Sequence, residues 1–210
     1  MSNHHCLATA LTLALGMMTV SAGAMADGPY IGVRGGPSQL RDMSYNTNTG
    51  RVDTRYDSGR SFSVMAGAAS FYENGFRARV ELEAGRQSGE VSGSGRSGDT
   101  RAAFGLINVY GDRQIGDGVD FVFGGGVGLG DVEFDDHRSG LLAPRLDDRD
   151  RSVGYQANAG LAFALSERVS LELGYRFQSW ENLEVTTRDG RPNELSVSSH
   201  NLLLGLRLGI

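Results

Sequence analysis

Along most of the chain apolar and polar residues alternate with a period of two. In "FRARVELEAG", residues 76–85, Ala78, Val80, Leu82 and Ala84 fall on one side of an extended strand, and Arg77, Arg79, Glu81 and Glu83 on the other. Strand side chains switch faces at every residue, so this segment has one apolar face and one ionic face. Reading the whole chain for the same period predicts eight strands, at residues 29–36, 60–71, 75–87, 100–111, 119–132, 152–164, 168–179 and 198–210. The fourth, containing "AAFGLINVYG", can be read in either phase.

The connections carry more information than the strands. Three are short: "YENG" (72–75), "DRQIGDG" (112–118) and "LSER" (165–168). Four are long and polar, over 37–59, 88–99, 133–151 and 180–197, and short and long alternate strictly. A soluble sandwich has no reason to keep that rhythm. An all-β, eight-stranded antiparallel up-and-down transmembrane β-barrel does, with short periplasmic turns and four long extracellular loops. An even strand count places both ends of the barrel on the periplasmic side.

The faces point the same way. "VSLELGYRFQ" sets Val169, Leu171, Leu173, Tyr175 and Phe177 against Ser170, Glu172, Gly174, Arg176 and Gln178. "VDFVFGGGVGLG" sets Val119, Phe121, Phe123, Val127 and Leu129 against a face holding Gly124, Gly126, Gly128 and Gly130. Glycine weakens a strand and marks tight places. A glycine-rich wet exterior makes little sense, whereas a narrow lumen in which glycines make room for arginines does. The apolar face therefore meets lipid. Aromatics gather toward both strand ends, with Tyr30, Tyr72, Phe76, Tyr110, Phe121 and Phe163 near the short turns or termini and Phe62, Tyr155, Phe177 and Trp180 near the long links. This is the expected pair of interfacial belts.

The beginning of the chain changes the picture in one respect. "MSNHHCLATALTLALGMMTVSAGAMADG" has a polar start, an apolar run and Ala24-Met25-Ala26, the plan of a signal peptide over 1–26 followed by an outer-membrane barrel domain over 27–210. Cys6, the sole cysteine, lies in that signal, so the exported chain cannot use disulfides. The net charge of −5 offers no footprint for nucleic acid. All 20 cations are arginine, each able to pair bidentately with carboxylate or phosphate.

With these features in hand, the chain resembles the small outer-membrane barrels, the family of the OmpA transmembrane domain and the opacity-type surface proteins. The resemblance rests on "YIGVRGG", "RARVELE", "FGGGVGLG", "LELGYRF" and the closing "LLLGLRLGI". It implies a Gram-negative outer-membrane location, with outer-membrane lipid, lipopolysaccharide and the insertion machinery as partners, and a host or surface ligand at the loops. It implies also that Gly205, Leu208 and Ile210 act as the C-terminal insertion signal, although Leu203 holds a usually polar position and Ile210 replaces an aromatic.

An eight-stranded barrel is just wide enough for side chains to fill. Its inward charges are Arg34, Arg77, Arg79, Glu81, Glu83, Glu172, Arg176 and Arg207, expected to form an ion-pair plug. A narrow channel or transporter for small ions or hydrophobic molecules is the alternative. The third long link carries Glu133, Asp135, Asp136, Asp147, Asp148 and Asp150, but lacks the regular spacing of a calcium loop and reads as a solvated surface. Its Arg138, Arg145, Arg149 and Arg151 face either these carboxylates or lipopolysaccharide phosphates. Neither a metal nor a cofactor is expected. "SSHN" (198–201) places Ser198 and His200 on one face without an identifiable carboxylate, so a lipid A-modifying enzyme is the least favoured reading, and no catalytic residue is assigned. N-terminal sequencing of the purified membrane protein is expected to begin at Asp27.

Overall fold

The computed structural model describes residues 28–41, 43–47, 50–54, 58–72, 75–93, 96–139, 146–186 and 192–210. Its strands are β1 (Pro29–Leu40), β2 (Met43–Thr47), β3 (Gly50–Thr54), β4 (Ser58–Tyr72), β5 (Phe76–Gly93), β6 (Arg96–Gly116), β7 (Val119–Ser139), β8 (Leu146–Ala164), β9 (Val169–Thr186) and β10 (Pro192–Gly209). Eight of them close into a barrel in the order β1-β10-β9-β8-β7-β6-β5-β4. β1 pairs antiparallel with both β10 and β4, which completes the ring. β2 and β3 form a separate hairpin within the first long link.

The barrel is inverted relative to a soluble protein. Val109, Val127 and Leu202 face outward and are 59%, 62% and 59% exposed, whereas Arg79, Glu81 and Arg176 face inward and are at most 1% exposed. Closure also settles the phase of β6: Phe104, Leu106, Asn108, Tyr110 and Asp112 turn inward, while Ile107 and Val109 turn out.

Three expectations need correction. The long links contain much more strand than their sequences suggested. β6 and β7 have 21 residues each, about twice the 9–11 needed to cross hydrocarbon. The β5–β6 ladder continues to the pair Gly93–Arg96, beyond most of the link expected over 88–99. Apolar alternation stops where lipid stops, but backbone pairing requires no apolar face.

"DRQIGDG" is mostly strand as well. β6 runs through Asp112 to Gly116, leaving Asp117 and Gly118 as the connection. Gly118 has φ 69°, the left-handed backbone that such a tight turn demands.

Finally, Tyr30, Tyr110 and Trp180 do not belong to the interfacial belts, for all three are buried inside the barrel. Tyr30 shares its strand phase with inward Arg34, and phase rather than height along the strand decides its side. Phe62, Phe121 and Tyr155 do face outward and are exposed. The side chain of Tyr72, and the expected signal over 1–26, lie outside the described residues.

A closed hydrogen-bonded barrel resists detergent until heated, so the unheated membrane-fraction protein is expected to migrate on a gel at a different position from the boiled sample. A single position under both conditions would contradict the barrel.

Candidate functional site

Strand alternation and register build the interior. β5 directs Arg79, Glu81 and Glu83 inward, opposite Tyr110, Asn108 and Leu106 of β6. On the far wall, β9 supplies Glu172 and Arg176, and β10 supplies Arg207. Arg34 of β1 stands opposite Gly205 of β10, where a Cβ would lie 2.9 Å from Arg34 Cγ; the missing side chain is what admits the guanidinium.

Arg34 is the hub. It lies 2.8 Å from Glu81, 3.1 Å from Glu172 and 3.7 Å from Glu83, and donates a 3.2 Å hydrogen bond to the Tyr110 hydroxyl. Arg79 pairs with Asp112 at 2.9 Å, and its guanidinium lies 4.8 Å from the Tyr110 ring centroid. Arg207 reaches Glu172 at 2.9 Å. Arg176 donates to Glu83, which also accepts from Asn108 at 2.9 Å and Gln156 at 3.0 Å. Arg77 is half-buried at the short-turn end, 3.9 Å from both Asp112 and Asp120.

The eight charges expected in the lumen comprise five arginines and three glutamates, an uncompensated excess of cation. The structure supplies the missing acids. Among the described residues, the buried charges are Arg34, Arg79, Arg176 and Arg207 against Glu81, Glu83, Asp112 and Glu172, four of each sign. Arg77 and Asp120 form a fifth pair at the rim. Asp112 was missed because its segment read as a turn. Its signal was the unbroken period two through Asn108, Tyr110 and Asp112, together with the cation excess, which a dry space does not tolerate.

Toward the long-link end the ionic layer gives way to an apolar cluster, flanked by the buried polar side chains of Gln87, Thr100 and Ser199, that sequence reasoning did not anticipate. Leu40, Ala102, Phe104, Leu106, Val132, Trp180, Leu183 and Val197 pack together inside the barrel. Phe104 and Trp180 have ring centroids 6.0 Å apart, and the Arg176 guanidinium lies 6.0 Å from the Phe104 ring, joining the two layers. Gly130 and Gly154 create the space for the indole, since a Cβ there would come within 2.6 Å and 2.1 Å of its ring. A register shift between Leu195 and Val197 lets both Trp180 and Leu183, an odd number of residues apart, point inward. The cavity left beside Trp180 is about 10 Å³, lined by Leu40, Ala102, Val132 and Val197 with Gln87, Thr100 and Ser199.

Other sequence candidates separate from this interior. Leu208 and Ile210 face outward and are exposed, and the Ile210 N–H donates to Pro29 at 3.0 Å. Glu133 and Arg151 are exposed and Asp150 is half-buried. The side chains of Asp135, Asp136, Arg138, Arg145, Asp147, Asp148 and Arg149 lie outside the described residues. His200 sits on the outer wall, hydrogen-bonded through Nδ1 to Tyr175 and stacked on Tyr175 and Phe177 at centroid distances of 5.9 and 5.4 Å.

A closed antiparallel barrel of eight strands with an apolar exterior and a charge-balanced interior defines a small transmembrane β-barrel protein. The family model described as outer membrane protein beta-barrel domain matches residues 8–207, and the chain belongs to that family, with the outer membrane as its location. A search of curated protein sequences gives no match. Among solved structures, neisserial surface protein A is similar at 17% identity and a TM-score of 0.53, over 87% of this chain and 97% of that one. OprG from Pseudomonas aeruginosa is similar at 12% identity and 0.47, over 89% and 99%. Ail, the attachment invasion locus protein of Yersinia pestis, is similar at 13% and 0.44, over 86% and 99%.

Removing one partner of a buried pair leaves the other charge stranded. Glu83→Ala is expected to destabilise the folded barrel by about 3–5 kcal/mol in urea titrations in detergent. Adding Arg176→Met to it is expected to restore part of the loss.

Proposed function

We propose that this protein is a non-enzymatic, closed barrel that stiffens the outer membrane and presents its long-link hairpins for adhesion or recognition. The observation that carries this reading is the two-layer interior. A neutral set of buried ion pairs fills one part of the lumen, and the Trp180 layer fills the part toward the long links. Ions crossing such a lumen would have to break pairs that lack a watery alternative and then pass the side chains packed around Trp180, which leave a cavity of only about 10 Å³.

The display role is supported by strand length. The segments of β5 to β10 in excess of a membrane span lie on the long-link side, as paired and therefore rigid backbone. Rigid hairpins lose less conformational freedom on binding than open loops. In this reading residues 1–26 are a removed export signal, and Gly205, Leu208 and Ile210 serve insertion, at the strand whose pairing with β1 closes the barrel.

Purified protein in lipid vesicles is expected to give no ion flux above that of protein-free vesicles. Robust flux that is abolished by Glu81→Gln or Arg176→Gln would overturn the plug and favour a channel.

A further inference from the structure

On the long-link side the wall is closed less far up than its strands extend. β1 ends at Leu40, opposite Ser199 of β10, and one further bond follows, from the Arg41 N–H to the Ser198 carbonyl at 2.8 Å. Residues 192–197 of β10 pair, among the described residues, with β9 alone. Their other edge meets no strand. The hairpin of β2 and β3 is the continuation of the β1–β4 ladder that could have covered it. Gln39 pairs with Ser58 and Met43 with Thr54, so the register runs on unbroken from one pair of strands to the next. β2 nevertheless pairs only with β3 among the described residues, although it approaches β10 to within 8 Å between Cα atoms. Paired antiparallel strands stand about 4.5–5.5 Å apart at Cα, so a shift of a few ångströms separates β2 from that edge.

The geometry of docking follows from the ladder already in place. Carried forward from Leu40–Ser199, the β1–β10 register sets Met43 opposite Ser196, Ser44 opposite Leu195 and Tyr45 opposite Glu194. The Arg41–Ser198 bond marks that pair as a hydrogen-bonded one. Bonded and non-bonded pairs alternate, so Met43–Ser196 and Tyr45–Glu194 fall on bonded positions and Ser44–Leu195 on a non-bonded one. The interruption of the β1–β10 ladder lies lower, at Gly36 and Pro37, where Pro37 has no N–H to offer. At the far end β10 begins with Pro192, which likewise lacks a donor and ends the edge.

We propose that β2 is a strap that zips onto the open edge of β10, pair by pair from Arg41 toward Pro192, carrying β3 with it. This goes beyond the display role above, since it determines when one edge of the displayed β9–β10 hairpin is available. A strand edge outside the membrane offers its N–H and C=O groups to any extended chain. With β2 docked the edge is occupied; with β2 released it is open. In the released form water satisfies the same backbone groups, and the net gain per hydrogen bond formed is only about 0.5–1.5 kcal/mol. The two forms therefore lie close in free energy, and the strap moves between them.

The test traps the docked form with paired cysteines in the whole protein in lipid nanodiscs, on a Cys6→Ser background. Ser44→Cys with Leu195→Cys places the thiols at the non-bonded pair, within disulfide reach. Ser44→Cys with Asn193→Cys displaces them by two residues, to about 7–8 Å at the backbone, beyond that reach. Under mild oxidation the 44–195 disulfide is expected to form about tenfold faster or more than the 44–193 one. Once formed, it is expected to slow amide hydrogen exchange at Glu194 and Ser196 by about tenfold or more against the same variant reduced. The heat-dependent gel shift reports that each variant is folded. Equal rates for the two cysteine pairs, or no disulfide in either, would overturn the proposal. A 44–195 disulfide that leaves exchange at Glu194 and Ser196 unchanged would overturn it too, by showing a chance encounter of two thiols without a ladder.

Discussion

Hydrocarbon offers no partner to a backbone N–H or C=O, so a sheet that crosses it must pair every strand edge with another strand. That demand accounts for the closure between β1 and β10, and closure has consequences inside. A ring of eight strands encloses too little room for bulk water and too much to leave empty. Side chains must fill it, and the inward phase of β1, β5, β9 and β10 supplies most of the buried ionic ones. A dry space accepts ions only in compensated sets, so Asp112 and Asp120 are as necessary to the interior as the arginines they meet.

Filling is also a matter of volume. The inward positions of β7 are mostly glycine because the residues opposite them are large: a Cβ at Gly126 would collide with Asn108, and one at Gly130 with Trp180. The glycines and the bulky residues form one arrangement spread over different strands. Its result is graded along the barrel axis, from the half-open Arg77–Asp120 pair, through the buried Arg34 hub, to the Trp180 layer. The ionic layer orients side chains through directed bonds, and the apolar layer closes the end where the long hairpins begin.

The same physics explains how a barrel of this kind can share its fold with neisserial surface protein A at only 17% identity. The outward face needs to be apolar and little more, since lipid makes no shape-specific contacts. The inward face needs neutrality and the right total volume, which many combinations of residues provide. Fold is therefore retained while the particular lumen and wall residues diverge, and roles must be argued from those residues.

What the sequence by itself determined is the exterior and the count. The alternation in "FRARVELEAG" and "LLLGLRLG" marks the lipid-facing side, and the alternation of short and long links marks an up-and-down barrel, because both are local patterns that one strand or one connection carries alone. Only the tertiary structure decided which residues share the interior. Tyr30, Tyr110 and Trp180 look interfacial from their positions near strand ends, yet each is turned inward by the phase of its strand and held by partners dozens of residues away. Asp112 looks like a turn residue until its ladder with β5 is seen to continue past it. The register shift that brings Trp180 and Leu183 to the same side belongs to a pair of strands rather than to either one. Neutrality, volume and register are properties of the closed ring, and no single segment contains them.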